Sequence, residues 1–285
     1  MDAWEAFLQL PVHTLEVRLA SGGGTLPESR WWGSTVRGAL GGALRFLLCS
    51  CRSESHRRDC PFARFFIPEG DGQNGPRYLP PPWSLSVKAH ENELEVQLRI
   101  FSDAVEIIEA LGLALEAAGF RGLGGRRFRV VGFKSSVASL ASLVASWRYP
   151  KPVLLLESPV RLQEGGQPIR QVPSFSHLFA AACRRVRLCA WAWAGVNLPH
   201  PPPEHKLWAT QVPVSGGQVH WEEKPRYSRR QKKLMRLGGL VGWVAYGGEW
   251  SWAWPWLRAL PLLGLGKLTT MGLGEVRWLP APPSS

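Results

Sequence analysis

The sequence predicts an α+β fold built as two successive βαββαβ halves, on three observations. Short runs with apolar residues at alternate positions, such as VHTLEVRL (12–19) and ELEVQLRIF (93–101), read as half-buried strands. Longer runs with helical apolar spacing, such as AVEIIEALGLALEAAGF (104–120), read as amphipathic helices. The same order of elements then occurs twice within 285 residues, a length that suits two ordinary domains.

In the first half, the strand at 12–19 is followed by a glycine-rich link and by STVRGALGGALRFLLC, a helix pattern opening around Ser34. After a Pro/Gly-rich excursion from Ile67 to Pro82, WSLSVKAH and ELEVQLRIF form a hairpin, 104–120 a helix and RRFRVVGF the last strand. The second half runs PVLLLESPVRL as strand, FSHLFAAACRRVRLCAWAW as helix and strands within 206–247. A short helix around Trp252 to Leu260, a glycine loop and a closing strand at Glu275 to Leu279 complete it. The boundary falls near Ala145 to Pro152, where ASWRYPKP breaks the helical pattern, giving halves of 1–147 and 148–285.

A net charge of +12 favours a polyanionic partner, with RNA, DNA and an acidic membrane surface as the physical options. No apolar run approaches the ~20 residues needed to span a bilayer, and the start MDAWEAFLQL is acidic rather than basic, unlike a signal peptide. Five cysteines, an odd number without an export signal, suit reduced thiols in a cytoplasm. Cys49, Cys51, His56 and Cys60 are candidate zinc ligands, although C-x-C is not the usual C-x-x-C knuckle. The alternative is incidental thiols in a loop after a helix.

Two segments carry an anion-binding signal. GLGKLTTMGLG places Gly264, Gly266, Gly272 and Gly274 around Lys267 and Thr269; without Cβ atoms a polyanion could approach the backbone N–H groups. It is neither a nucleotide P-loop nor a dinucleotide fingerprint, and an irregular turn packed on a helix is the alternative. KPRYSRRQKKLMR (224–236) holds seven Lys or Arg and no acid and runs into the apolar strand GGLVGWVAY. Arg226, Tyr227, Arg229, Arg230, Lys232, Lys233 and Arg236 are thus candidate RNA contacts, against a solvated strand edge. Arg121, Arg126, Arg127 and Arg129 could extend the track. Of fifteen tryptophans, Trp191 and Trp193 with the group Trp250, Trp252, Trp254 and Trp256 are expected to fill space between the halves, whereas Trp31 and Trp32 are expected in an exposed loop where bases could stack.

Four segments in order resemble the CRISPR-repeat-processing endoribonucleases of the RAMP superfamily: GSTVRGALGGALRFLLC with CPFARFF, ESPVRL with SFSHLFAAACRRVRL, RYSRRQKKLMRLGGLVGWVAY, and LLGLGKLTTMGLGEVRW. The resemblance implies two ferredoxin-like (RRM-like) domains and metal-independent, cofactor-free cleavage of precursor CRISPR RNA at the base of a repeat stem-loop. The nucleophile would be the substrate's own 2′-hydroxyl, leaving a 2′,3′-cyclic phosphate. Many relatives have a histidine near the first helix or beside the glycine loop, but residues 21–50 and 257–285 contain none. His13, His56, His90, His177, His200, His205 and His220 each read as structural or solvated. Arg30, Arg37 and Lys267 are therefore the catalytic candidates, stabilising transition-state charge, with Tyr227 a poor base at an ordinary pKa near 10. Arg37 could equally serve an ion pair. Tight binding through many phosphates would keep the product, within an RNA-guided effector complex with other subunits. The rivals are a crRNA-binding subunit that does not cut and a zinc-stabilised scaffold.

Overall fold

Alternation at 11–21 buries Leu15, Val17 and Leu19 and leaves Glu16 and Arg18 exposed, which makes this segment a strand with one wet face. The computed structural model describes residues 2–27, 30–51, 55–70, 79–102, 105–145, 152–228 and 233–283. The chain divides into two units, Leu10–Ser139 and Met1–Gln9 joined with Leu140–Ser285.

The unit of 10–139 contains β1 (Pro11–Ser21), α2 (Trp32–Leu48), α3 (Pro61–Phe66), β2 (Trp83–His90), β3 (Glu93–Ile100), α4 (Val105–Arg121) and β4 (Phe128–Ser139), following the N-terminal helix α1 (Ala3–Leu8), which belongs to the other unit. Its antiparallel sheet has the order β2-β3-β1-β4, with Leu15 opposite Leu98 and Val17 opposite Val96. Two helices, α2 and α4, supply Val36, Leu40, Leu44, Leu111 and Leu115 to the core against the buried side of β1 and β3. α3 adds Phe62, Phe65 and Phe66, with Phe65 and Phe66 stacked on Trp83.

The other unit contains α1, α5 (Leu140–Ala145), β5 (Val153–Val160), a minimal hairpin of β6 (Gln163–Glu164) and β7 (Gln167–Pro168), α6 (Phe175–Ala194) and α7 (Pro203–Gln211). These precede β8 (Val214–Ser228), β9 (Lys233–Tyr246), α8 (Trp254–Leu257), α9 (Leu260–Leu263) and β10 (Val276–Leu279). The sheet order β10-β5-β9-β8 repeats that of the first unit, so both sheets are ferredoxin-like. Short 3₁₀ turns at Ser251–Ala253 and Thr269–Met271 flank α8 and α9, and Pro255 and Pro261 open these two helices, dividing the single helix expected at 252–260.

The expectation of strands from 206 onward is corrected by α7, which starts at Pro203 with Glu204 in its first turn and continues through Gln211. Trp250 and Trp252 pack on Phe175, Trp252 also on Phe179, Trp254 on Trp278, and Trp4 on Trp256 at 4.8 Å, all partners within one unit. Through these contacts Trp250 and Trp252 pack on α6 and Trp254 on β10.

Candidate functional site

The glycine segment folds back on itself. The amide of Leu265 donates to the Gly274 carbonyl at 2.8 Å, and that of Gly274 donates to the Pro159 carbonyl at 3.1 Å. Gly264, Gly266, Gly272 and Gly274 all have φ between 76° and 84°, a region that L side chains enter at a cost. A Cβ would lie 2.6 Å from Thr269 Cγ2 at Gly264 and 2.7 Å from the Arg161 carbonyl at Gly266, and at Gly274 it would strike the Leu265 carbonyl. The space cleared at these three glycines is therefore taken by the protein itself, and their first use is to let the loop close. Lys267 stands exposed at its edge, while Thr269 and Thr270 are buried.

Sequence reasoning missed the residue that braces this loop. Arg185, on α6, donates through Nε and Nη2 to the Leu263 carbonyl, at 3.1 and 2.5 Å, and through Nη2 to Thr269 Oγ1 at 3.1 Å. A planar fork with several donors suits such a task, because it ties the end of α9 and the following turn together. Its own guanidinium lies 5.5 Å from the Trp193 ring. Nothing in the RRVRL segment marks this arginine out from its neighbours.

The segments ESPVRL, SFSHLFAAACRRVRL, the basic hairpin and the glycine loop, separate in sequence, converge here. β5 is irregular between Leu156 and Val160, and there the amides of Glu157 and Ser158 donate to the Glu275 carbonyl while Ser158 Oγ accepts from the Glu275 amide at 2.9 Å. β9 presses onto the same bulge, since a Cβ on Gly239 would lie 2.6 Å from the Val160 backbone. Arg226, from β8, lies with Nη1 3.6 Å from Met271 Sδ. Burial lowers the pKa of this guanidinium from its ordinary value, and it nonetheless stays charged.

The basic run occupies the far end of the β8–β9 hairpin, where Tyr227 pairs with Leu234 and Ser228 with Lys233. Arg229, Arg230 and Lys232 lie outside the described residues, and for Tyr227, Lys233 and Arg236 only the backbone is described. β8 is the edge of its sheet, so the hairpin carries its charge along a strand with one side unpaired by β-sheet.

In the unit of 10–139, Trp31 is the N-cap of α2 and Trp32 its first residue, two positions before the expected start at Ser34. This early start turns both inward, at 7% and 4% exposure, which corrects the expectation of exposed stacking rings. Trp32 meets Phe128 edge-on at 5.9 Å and carries the exposed guanidinium of Arg30 5.3 Å above its ring. Arg30 also fills the space beside Gly124, where a Cβ would collide with its Nη1. Arg126 donates to the carbonyls of Gly23 and Gly24, and Arg127 lies over Phe120 at 5.6 Å. Arg30 and Arg126 thus share the corner formed by the link after β1 and the turn between α4 and β4. Arg37 sits one turn into α2 with its guanidinium 4.6 Å from the Phe66 ring. Lys267 belongs to the other unit.

Cys49, Cys51, His56 and Cys60 are drawn together between α2 and α3, their ligand atoms all within 4.8 Å of one another. Burial raises the Cys60 thiol, whereas the Arg57 amide, donating to Cys51 Sγ at 3.5 Å, lowers that of Cys51. The other histidines have varied surroundings. His90 pairs with Glu95 at 3.5 Å, and His205 packs against Trp252. His177 lies 2.9 Å from Glu164 through Nε2 and 2.9 Å from Ser174 Oγ through Nδ1, at the N-cap of α6. No described helix is long and apolar enough to cross a membrane.

Residues 154–276 match the family model of the CRISPR-associated endoribonuclease Cas6, and residues 10–143 match that of the AF_1859_N N-terminal domain. No curated protein matches the sequence. Among solved structures, a Cas6 (TTHA0078) product complex is 18% identical with a TM-score of 0.59, over 95% of this chain and 100% of that one. The substrate mimic complex of the same Cas6 gives 18% and 0.56, over 95% and 100%. Thermus thermophilus Cas6 (TTHB231) gives 12% and 0.58, over 95% and 98%. These likenesses establish the shared fold.

Proposed function

We propose that this chain, whose residues 154–276 match the Cas6 family model, is a Cas6-type, metal-independent endoribonuclease that grips the stem-loop of a CRISPR repeat and cuts precursor crRNA at the base of the hairpin. The observation that carries this reading is the braced glycine loop with Lys267 at its edge, lying within the segment that matches Cas6. The N-terminal half, 1–147, would supply the active centre at α2, and the C-terminal half, 148–285, the basic hairpin and loop that hold RNA. Solved Cas6 proteins of this fold include a product complex and a substrate mimic complex.

In the proposed step the 2′-oxygen attacks the adjacent phosphorus, forming an O2′–P bond as the P–O5′ bond breaks. The 2′-hydroxyl gives up its proton and the leaving 5′-oxygen gains one, so the ends are a 2′,3′-cyclic phosphate and a 5′-hydroxyl. Negative charge gathers on the pentavalent phosphate, and Arg30, Arg37 and Lys267 are each proposed as a cation that could offset it. Trp31, the N-cap of α2, makes no side-chain capping hydrogen bond to the first turn. Trp32, buried, serves as the floor under Arg30. Arg126, Arg127 and Arg226 with the hairpin residues Tyr227, Arg229, Arg230, Lys232, Lys233 and Arg236 would line the RNA path, and the loop from Gly264 to Gly274 with Thr269 would set its shape. Many phosphate contacts slow release, which would keep the product for an effector complex. A solved Cas6-RT-Cas1–Cas2 complex contains a chain 11% identical, matched over 96% of this protein and 29% of that chain.

One observation favours a second reading, a crRNA-holding subunit that does not cut: no histidine occurs within 21–50 or 257–285, leaving those segments without a good proton acceptor at neutral pH. The experiment that separates the readings is incubation with repeat RNA in EDTA, beside a substrate with a 2′-deoxy nucleotide at the scissile position. Cleavage of the normal RNA alone, with a cyclic phosphate end, supports the nuclease. Tight binding with no cut supports the holding subunit.

A further inference from the structure

The segment between α2 and α3 brings together four side chains that proposed RNA chemistry does not use. Cys49 is the C-cap of α2 and Cys60 the N-cap of α3, with Cys51 and His56 between them. Cys49 Sγ lies 3.3 Å and Cys60 Sγ 3.6 Å from His56 Nδ1. A tetrahedral zinc ion, with Zn–S of about 2.3 Å and Zn–N of about 2.0 Å, places sulfur and nitrogen ligands roughly 3.5 Å apart and two sulfurs roughly 3.8 Å apart. The two sulfur–nitrogen separations are those of such a tetrahedron, and all four ligand atoms lie within 4.8 Å of one another. The Arg57 amide donating to Cys51 Sγ and the Phe62 ring 5.3 Å from His56 provide the outer contacts that orient metal ligands.

We propose that Cys49, Cys51, His56 and Cys60 bind one structural zinc ion that pins the elbow between α2 and α3. Three thiolates and one imidazole suit zinc by their softness, and four protein ligands leave no position for a catalytic water. Binding releases the thiol protons, and the metal affinity becomes stability of the folded elbow. The elbow matters because of what α3 carries. Phe66 approaches α2 so closely that a Cβ on Gly41 would lie 2.6 Å from its ring, and the Arg37 guanidinium rests over the other part of that contact, 4.6 Å from the same ring. The zinc ion thereby positions Phe66, and through it Arg37. The inference stands without the nuclease reading, since its readout is metal content.

The full chain, produced with zinc in the medium and purified in reductant, should carry about one zinc per chain by elemental analysis. Reconstitution of metal-stripped chain with Co²⁺ should give a visible spectrum of tetrahedral thiolate coordination. Cys51→Ser and His56→Ala should each lose the metal, whereas Cys183→Ser should retain it. A chain with less than a tenth of an equivalent of zinc that also gives no thiolate–cobalt spectrum would overturn the site. So would full zinc occupancy in a Cys49→Ser/Cys51→Ser double variant. If variants fail to fold, the cobalt spectrum of the unaltered chain still decides. Zinc measured on the EDTA-treated sample used for cleavage separates loss of metal from absence of nuclease activity.

Discussion

Arg185 and Thr269 are 84 positions apart and are joined by a 3.1 Å hydrogen bond from Nη2 to Oγ1. The same guanidinium holds the Leu263 carbonyl, so one side chain fixes both the end of α9 and the turn that follows. Hydrogen bonds to a charged donor contribute about 1.5–3 kcal/mol, and more is lost when buried acceptors are orphaned. Arg185→Met should therefore lower the unfolding free energy by about 2–4 kcal/mol, read from urea denaturation. Arg185→Lys should recover only part of it, because an ammonium lacks the planar fork. Equal stability of the Met variant and parent would mean that the loop closes without this brace.

Closure by glycine gives a sharper expectation. Gly274 has φ of 76° and a Cβ there would strike the Leu265 carbonyl, whereas Gly165, with φ of 55°, has open space around it. Left-handed backbone alone costs an L residue about 1–2 kcal/mol. Gly165→Ala should lose about 1 kcal/mol and Gly274→Ala clearly more, with an unchanged denaturant slope. Matching losses at the two positions would show that the collision is relieved by movement of the loop.

Much of this fold is legible in the sequence because alternation in β1 and β3 and the helical stripe of α4 are strong local signals. The early helix α1 carried a signal too, since Asp2 and Glu5 form a reciprocal capping box. Proline-rich LPHPPPEHK masks α7, where the last proline begins a helix rather than preventing one. Trp31 and Trp32 show the limit of reading a loop from its neighbours: moving the start of α2 by two residues turns both rings inward. Arg185 was not resolvable by pattern, because its role depends on a contact spanning 84 positions. Cys49, Cys51, His56 and Cys60 were legible as candidate ligands from their closeness in sequence, and what the unusual C-x-C spacing did not reveal is that the turn brings all four ligand atoms within 4.8 Å of one another.

Burial makes the thiols of α6 inert at neutral pH. It pushes Cys183 up to about 12 and Cys189 up to about 11, above the ordinary 9.0. A folded pKa above the unfolded one means that the stabilisation is complete below pH 9 and fades as pH rises through the folded values. Melting temperatures of the parent should fall faster than those of a Cys183→Ala/Cys189→Ala variant as pH climbs from 9 towards 11. Parallel curves would show that these thiols do not contribute to alkaline instability.

Charge at the tip of the β8–β9 hairpin is testable through salt. If Lys232 and Lys233 each neutralise a phosphate, replacing both with Ala should weaken binding of repeat RNA and flatten the plot of log affinity against log salt by roughly 1.5–2. Weaker binding with an unchanged slope would assign these lysines to the hairpin's own conformation. Unchanged affinity would remove the hairpin tip from the RNA surface.

Arg37 distinguishes chemistry from grip. Its position over Phe66 fixes the guanidinium near the first turns of α2, and a preorganised cation acting on transition-state charge is worth more to the rate than to ground-state binding. Under single-turnover conditions Arg37→Ala should slow cleavage by about 10²–10³-fold while the dissociation constant for a non-cleavable 2′-deoxy repeat changes only a few-fold. Arg37→Lys should restore part of the rate, because charge returns without the stacked, planar geometry. A variant that binds more weakly in proportion to its slower cutting would make Arg37 an RNA-binding residue, and full activity would place the catalytic cations elsewhere, with Arg30 and Lys267 next to be changed.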